Sequence, residues 1–280
     1  MKQPQSRRMF LSRMTRGTLA VAVLGSGVVA CADSSGGEDA FSPRISDPTT
    51  SSDPTTSSAA ETTTAPPAAT TTASTDQPDA ATWQRVNLGF VSAYVLARSG
   101  EAAVVDTGGE GSGGDIEAGL TALGLGWDAV GHVILTHSHG DHVGSIAEVL
   151  NAAPSATAYA GAEDIPQIDA PGTLTPVADG DTVFGLRIVA TPGHTPGHIS
   201  VLDVAGQVLM AGDAMNGGDA MGREAGTVAG ANPQFTADIA LADGSIRKLA
   251  GFDIETILFG HGEPVVGGAG PLLADLAASL

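Results

Sequence analysis

Beyond Trp83 the chain settles into short apolar runs punctuated by Gly, Asp and Pro, with a few longer amphipathic stretches between them. This pattern predicts strands near 84 to 91, 93 to 98, 102 to 106, 131 to 136, 156 to 160, 186 to 191, 198 to 204, 207 to 212 and 255 to 259. Helices fit near 114 to 124, 142 to 151, 234 to 250 and 270 to 279. Strand runs come first and strand-helix units follow, which points to one mixed α/β domain over residues 83 to 280, with layered sheets and outer helices. Several runs end on a polar residue: Asp106 after Val104-Val105, His137 after Ile134-Leu135-Thr136, Thr191 after Val189-Ala190, Asp213 after Ala211-Gly212, His261 after Phe259-Gly260. Buried strands of this kind deliver their last side chains to one common edge, where a rigid scaffold holds its functional loops.

The first 82 residues read differently. Five of the 12 Lys plus Arg (Lys2, Arg7, Arg8, Arg13, Arg16) precede residue 17, residues 17 to 30 are apolar with small side chains, and Cys31 follows. That is the layout of a secretory signal, with an apolar run too short to span a bilayer comfortably. Ser6-Arg7-Arg8-Met9-Phe10-Leu11 resembles a twin-arginine export signal, and Val28-Val29-Ala30-Cys31 resembles a lipobox, in which Cys31 is lipidated and becomes the new N-terminus. The resemblance implies an exported cell-membrane lipoprotein that faces outward, anchored in the membrane through Cys31. A buried core helix and a structural cysteine are the plainer alternatives for these two features. Residues 32 to 82, rich in Ser, Thr, Pro and Ala, cannot bury a core and are expected to form a disordered, extended spacer.

Charge narrows the partners. Outside the N-terminal segment seven Lys plus Arg face 31 Asp plus Glu. Phosphate backbones are bound by displacing counterions with basic side chains, so nucleic acid is not an expected partner. Cys31 is the only cysteine, which rules out an intramolecular disulfide and any Cys-based zinc cluster. A metal here has to be held by His and carboxylate.

The densest supply of such groups is Thr136-His137-Ser138-His139-Gly140-Asp141-His142, between a strand and a helix start. Residues two apart in extended backbone share a face, so His137 and His139 can reach one ion. Asp141 and His142, where the chain turns into the helix, can address a second ion a few Å away. A solvated polar loop is the alternative. His132 reads as an ordinary polar strand residue, and His198 as the start of a strand that faces the site without binding metal.

The HxHxDH motif, together with Asp106 in VVDTG, His194 in TPGHTPGH, Asp213 in AGDA and His261 in FGHG, resembles the five ordered motifs of the metallo-β-lactamase superfamily over residues 85 to 262. The resemblance implies a four-layer αββα sandwich and two zinc ions per chain. It assigns His137, His139 and His194 to one ion, and Asp141, His142 and His261 to the other. Asp213 bridges both, and Asp106 braces a ligand from behind. It further implies a nucleophilic hydroxide between the ions, with Asp141 orienting it or accepting its proton, and with Asp141 and Asp213 as the catalytic carboxylates.

A carboxylate at position 213 resembles the thioesterase and lactonase branches, glyoxalase II among them, more than the true β-lactamases. Glyoxalase II adds a C-terminal helical region for glutathione. Here 19 residues follow His261 and basic residues are few, so glutathione thioesters are not expected. The favoured reading is a hydrolase of small-molecule esters, thioesters or lactones, with no protein partner implied. A mononuclear iron enzyme of the persulfide dioxygenase type and a metal-binding lipoprotein without catalysis stand beside it. The Gly-rich segment 214 to 236 is the candidate substrate-covering loop. Tyr94 and Tyr159, the only tyrosines, are candidates for core or for a substrate-facing aromatic.

Overall fold

The computed structural model describes residues 79–280. The signal over residues 1 to 31, Cys31 included, and residues 32 to 78 of the spacer lie outside the described residues. Fourteen strands and five α-helices follow. The first sheet takes β1 (Thr82–Asn87), β2 (Ser92–Arg98), β3 (Glu101–Val105), β4 (Val130–Ile134), β5 (Thr157–Gly161) and β6 (Thr175–Val177) in sequence order. The second takes β7 (Thr182–Val183), β8 (Leu186–Ala190), β9 (Ile199–Asp203), β10 (Val208–Gly212), β13 (Thr256–Phe259) and β14 (Val265–Val266) in that spatial order. A small separate ribbon pairs β11 (Met215–Gly217) with β12 (Val228–Gly230).

Strand alternation decides the layers. In β2, Ala93 and Val95 face one way and join Val104, Val133 and Leu135 in an outer core with Ile116 and Leu120 of α1 (Gly113–Ala122) and with Ile146 and Val149 of α3 (Ile146–Ala152). Their neighbours Tyr94, Leu96, Val105 and Ile134 face the other way, and meet Ile188, Val201, Met210 and Leu258 of the second sheet. In that sheet Leu209, Ile257 and Phe259 point outward to Ile246 and Leu249 of α4 (Ile239–Leu249) and Leu273 of α5 (Ala269–Ser279). Side chains of period two, buried on both faces, hold the sheets together and the helices outside. The result is the expected αββα sandwich of four layers, with Tyr94 in its inner core, where its hydroxyl donates to the Phe259 carbonyl at 2.8 Å.

Three expectations about elements are corrected. The helix expected over 142 to 151 is two pieces, α2 (Gly140–Val143) and α3. Between them the His142 carbonyl accepts from Thr107 N–H at 2.7 Å, and Gly144 N–H donates to the Gly108 carbonyl at 2.8 Å. These bonds to the 107–109 loop replace intrahelical ones, and a Cβ at Gly144 would collide with the backbone of Gly109 and Glu110. The helix expected from 234 begins only at Ile239. Ala237 and Asp238 give their N–H groups to the carbonyls of His194 and Gly193, and Asp238 caps the helix by accepting from Leu241 N–H at 2.9 Å. The segment 214 to 236 has more regular structure than expected, since it carries the β11-β12 ribbon and a short 3₁₀ turn over Gly218–Met221.

Candidate metal centre

Both sheets turn one edge toward the same point. On the first sheet β3 ends at Val105 just before Asp106, and β4 runs out through Leu135 and Thr136 into His137 and His139. There α2 begins, carrying Asp141 and His142. On the second sheet the loop after β8 carries His194, β10 ends just before Asp213, and β13 ends two residues before His261. Asp106 sits at φ 59°, a left-handed conformation that Asp tolerates better than most residues. Gly260 is required for a different reason: a Cβ there would meet the Asp213 carboxylate and the His142 ring.

Three overlapping groups result, each with its ligand-type atoms within 4.8 Å of one another: His137, His139 and His194; His137, His142 and Asp213; Asp141, His142 and His261. Asp213 lies between the imidazoles, with Oδ1 3.4 Å from His142 Nε2 and Oδ2 3.5 Å from His194 Nε2 and 3.2 Å from His261 Nε2. Asp141 Oδ2 is 3.4 Å from His261 Nε2. All seven residues singled out in the sequence therefore share one site.

The hydrogen bonds behind them show which way the ring nitrogens face. Thr136 Oγ1 donates to Asp106 Oδ2 at 2.8 Å, so at 3.0 Å it accepts from His137 Nδ1–H. Thr236 Oγ1 donates to the Asn232 carbonyl at 2.7 Å and accepts from His194 Nδ1–H at 3.1 Å. His142 Nδ1–H donates to Asp106 Oδ2 at 2.8 Å, and His261 Nδ1–H to the Phe90 carbonyl at 2.6 Å. Four imidazoles thus spend the outer N–H and turn Nε2 inward, the arrangement that second partners impose on metal-binding histidines. The inward atoms crowd: His139 Nδ1 is 3.1 Å from His137 Nε2 and 3.0 Å from His194 Nε2. A single proton on His139 cannot answer both lone pairs, whereas a cation among the three answers all of them. The buried Asp213 Oδ1 has no hydrogen-bond partner, which fits the same need. The donor set is imidazole and carboxylate, suited to divalent transition ions of the zinc kind.

Charge regulation follows the geometry. Burial, and then the neighbouring His142 and His198, push His137 well below the usual imidazole range. Burial, opposed by Asp213, lowers His194 to about 4, and burial with His194 beside it lowers His198 to about 3. At His142 burial acts downward too, but Asp213 and Asp106 outweigh it and raise the group to about 9. His261 is likewise raised, burial being overcome by its bond to Asp213. Without metal, the unfolded chain takes up protons near pH 6.5 that His137, His194 and His198 refuse when folded. Stability should therefore fall with pH below about 6.5, by about 1.4 kcal/mol per pH unit for each of the three. His142 and His261 do not oppose this. Their folded values are raised, so their contribution is complete below pH 6.5 and is lost only as pH rises, through about 9 for His142. Urea unfolding of the chelator-treated protein at pH 7 and pH 5 checks the slope, and equal stability at the two values would contradict it.

Two residues outside the seven brace the site from behind. Asp164 is fully buried and accepts from Ser138 N–H at 2.9 Å, Thr195 Oγ1–H at 2.6 Å and Gly197 N–H at 2.8 Å, so one carboxylate ties the HxH loop to the loop of His194. His198, read from the sequence as facing the site without binding metal, accepts from the backbone N–H of Asp213 at 3.0 Å. Its Nδ1–H then donates to Thr191 Oγ1 at 2.8 Å, Thr191 to Ser200 Oγ at 3.0 Å, and Ser200 to the Ala211 carbonyl at 3.0 Å. This closed chain grips the backbone on both sides of Gly212, where β10 slips register against β13. Thr191 among the strand-end residues and the second His of TPGHTPGH were the available signals. His132 lies away from the site, its ring against Tyr159 and Phe184.

A cavity of about 570 Å³ opens on the cluster, lined by His139, Asp141, Asp213 and His261 on the floor and by Arg85, Phe90, Asn216, Asp219, Met221 and Phe235 among its walls. Asn216, Asp219, Ala220, Met221, Asn232 and Phe235 all belong to the segment proposed from the sequence as a cover. Neither tyrosine lines it.

Comparison with known proteins gives a concordant picture. Residues 86–261 match the family model described as the metallo-beta-lactamase superfamily. A probable metallo-hydrolase, YflN, of Bacillus subtilis is 33% identical over 176 residues, which are 48% of this chain and 65% of that protein. A hydroxyacylglutathione hydrolase of Cupriavidus metallidurans is 34% identical over 128 residues, 41% of this chain and 45% of the relative. The chain thus spans less than two thirds of the length of these curated relatives. A crystal structure of a metallo-beta-lactamase family protein from Thermus thermophilus superposes with a TM-score of 0.55 at 23% identity, covering 71% of this chain and 79% of the other. At that identity the likeness concerns the fold.

Proposed function

The chain belongs to the metallo-beta-lactamase superfamily, and from that premise we propose that it is a metal-dependent hydrolase of ester, thioester or lactone bonds, working with two zinc ions. The observation that carries the reading is the crowding of inward-facing nitrogens beside the buried Asp213 carboxylate: His139 Nδ1 faces the Nε2 atoms of His137 and His194 at once, and Asp213 Oδ1 has no hydrogen-bond partner. In this reading His137, His139 and His194 hold one ion, Asp141, His142 and His261 the other, and Asp213 serves both. When bound, such a pair acidifies water to make a nucleophile and polarises the attacked carbonyl. The protein's own part is to fix and to move protons. Asp106 and Thr136 keep the outer nitrogens of His142 and His137 protonated, Phe90 does the same for His261, and Asp141, partly exposed at the cavity floor, orients the nucleophile or accepts its proton.

The grouping of Asp141, His142 and His261 favours this over a mononuclear iron oxygenase, which would leave that group without employment. Similarity to hydroxyacylglutathione hydrolases supports thioester-type chemistry as a class. We propose further that Arg7-Arg8 and Cys31 make the chain an exported lipoprotein on the outer face of the membrane. One preparation tests both parts. Chelator-stripped protein from the membrane fraction should regain turnover on a panel of chromogenic esters, thioesters and lactones as zinc is added, with saturation at two equivalents, and its mass should show lipid at Cys31. Absence of turnover across the panel would sink the hydrolase reading, and an unmodified Cys31 in a soluble chain the anchor.

A further inference from the structure

The cavity above the candidate metal centre is lined asymmetrically, and its lining bears on what can enter. Phe90 and Phe235 are 70% and 64% exposed, and they are the only strongly exposed phenylalanines among the described residues. Both line this one cavity, and Ala220 and Met221 are also in its lining. Exposed aromatic surface gathered at one pocket marks a place where an apolar group is received. Phe90 is fastened to the site itself: its ring stacks on His261 at 5.9 Å between centroids with 15° between planes, and its carbonyl accepts a hydrogen bond from His261 Nδ1–H. An apolar arm lying on Phe90 therefore starts directly beside the reacting centre.

The charged side chains of the lining are mostly acidic. Besides Asp141 and Asp213, the wall carries Asp219 and Glu263, and apart from imidazoles Arg85 is the only basic side chain in it. Arg85 is committed elsewhere. Its Nε donates to Ser92 Oγ at 2.9 Å, one terminal nitrogen to Glu263 Oε2 at 2.7 Å and the other to the Gly262 carbonyl at 3.1 Å, and its side chain is 15% exposed. All its nitrogens are engaged within the protein. The Arg85–Glu263 pair cancels its own charge, so apart from the imidazoles no cationic side chain of the lining is left to pair with the carboxylates of a substrate, while Asp219 on the wall repels them.

From this lining we infer that the substrates are uncharged esters or lactones with an apolar arm that lies between Phe90 and Phe235, and that anionic thioesters of the glutathione kind are poor substrates. The inference rests on the hydrolase reading and specifies it. It separates the chain from the hydroxyacylglutathione hydrolases to which part of its sequence is similar, through the residues that surround the centre and not through the centre.

The test is a matched substrate series on the zinc-loaded full chain: 4-nitrophenyl esters of straight-chain acids from two to eight carbons, the same chains ending in a second carboxylate, and S-lactoylglutathione. kcat/KM should rise by about twofold per methylene, half or less of what full burial of each group would give. It should fall at least tenfold when the far end carries a carboxylate. Phe235→Ala should flatten the length dependence, mainly through KM, and Phe235→Leu should restore part of it. Equal or faster turnover of the dicarboxylic esters, or S-lactoylglutathione as the best substrate, would overturn the inference and leave the hydrolase reading intact. No turnover anywhere in the series would overturn both.

Discussion

Replacing Asp213 by Ala should abolish turnover, by at least about a thousandfold, and should lower the zinc bound per chain below two. A thousandfold is about 4 kcal/mol of transition-state stabilisation. That loss exceeds the roughly 10- to 100-fold that follows from losing a partner behind a ligand, because Asp213 faces both halves of the cluster. Its two oxygens lie between 3.2 and 3.5 Å from the inward nitrogens of His142, His194 and His261. Without that carboxylate, two cations a few Å apart would repel each other with no charge between them. The variant should still fold. The β10 strand end is held by the Asp213 backbone N–H on His198 and by the Ala211 carbonyl on Ser200, and neither bond uses the lost side chain. Metal analysis and kinetics on one preparation check the expectation, and turnover within tenfold of the parent with two zinc retained would refute it.

The second large effect is expected at a residue that need not touch metal. Asp106→Asn keeps the size of the side chain and suits φ 59°, since Asn is among the residues that enter the left-handed region readily. One carboxylate oxygen now accepts from Thr136 N–H at 2.7 Å, and the other from both Thr136 Oγ1–H and His142 Nδ1–H. An amide can keep the first bond but presents N–H at the other two. His142 would then place its remaining proton on Nε2. Thr136, turned around, would donate to His137 Nδ1 and push that proton inward as well. Two rings would meet the metal with hydrogen in place of a lone pair. Zinc affinity should fall about a hundredfold, the upper end of the range for such partners, while thermal unfolding of the metal-free protein moves far less. Chelator competition measures the affinity. An unchanged value would mean that Asp106 serves the loop and leaves the ligand tautomers alone.

Much of this was legible in the sequence, and what escaped did so for physical reasons. Strands of four or more residues such as β2, β10 and β13 announce themselves because each buries both faces, and their polar ends mark the functional edge. Ligands clustered in sequence, His137 to His142, were readable as a group, and Asp213 and His261 were readable because each ends a buried strand. Strands of two or three residues, such as β7 and β14, are too short to show a period. The break at Gly144 depends on the His142 carbonyl and the Gly144 N–H being bound by Thr107 and Gly108, a tertiary event that local propensity does not encode. Asp164 sits in Ala162-Glu163-Asp164-Ile165 with no motif around it, and its role appears only when Ser138, Thr195 and Gly197 converge on it. Phe90 and Phe235 come from turns 145 residues apart, so no window of sequence could have placed them at one cavity.

The most direct test of the account is metal content per chain, measured by elemental analysis on the full chain after saturation with zinc and removal of the excess. The crowding of His137, His139 and His194, and the separate cluster of Asp141, His142 and His261 around a shared Asp213, predict two ions per chain. One ion, or none, would contradict it.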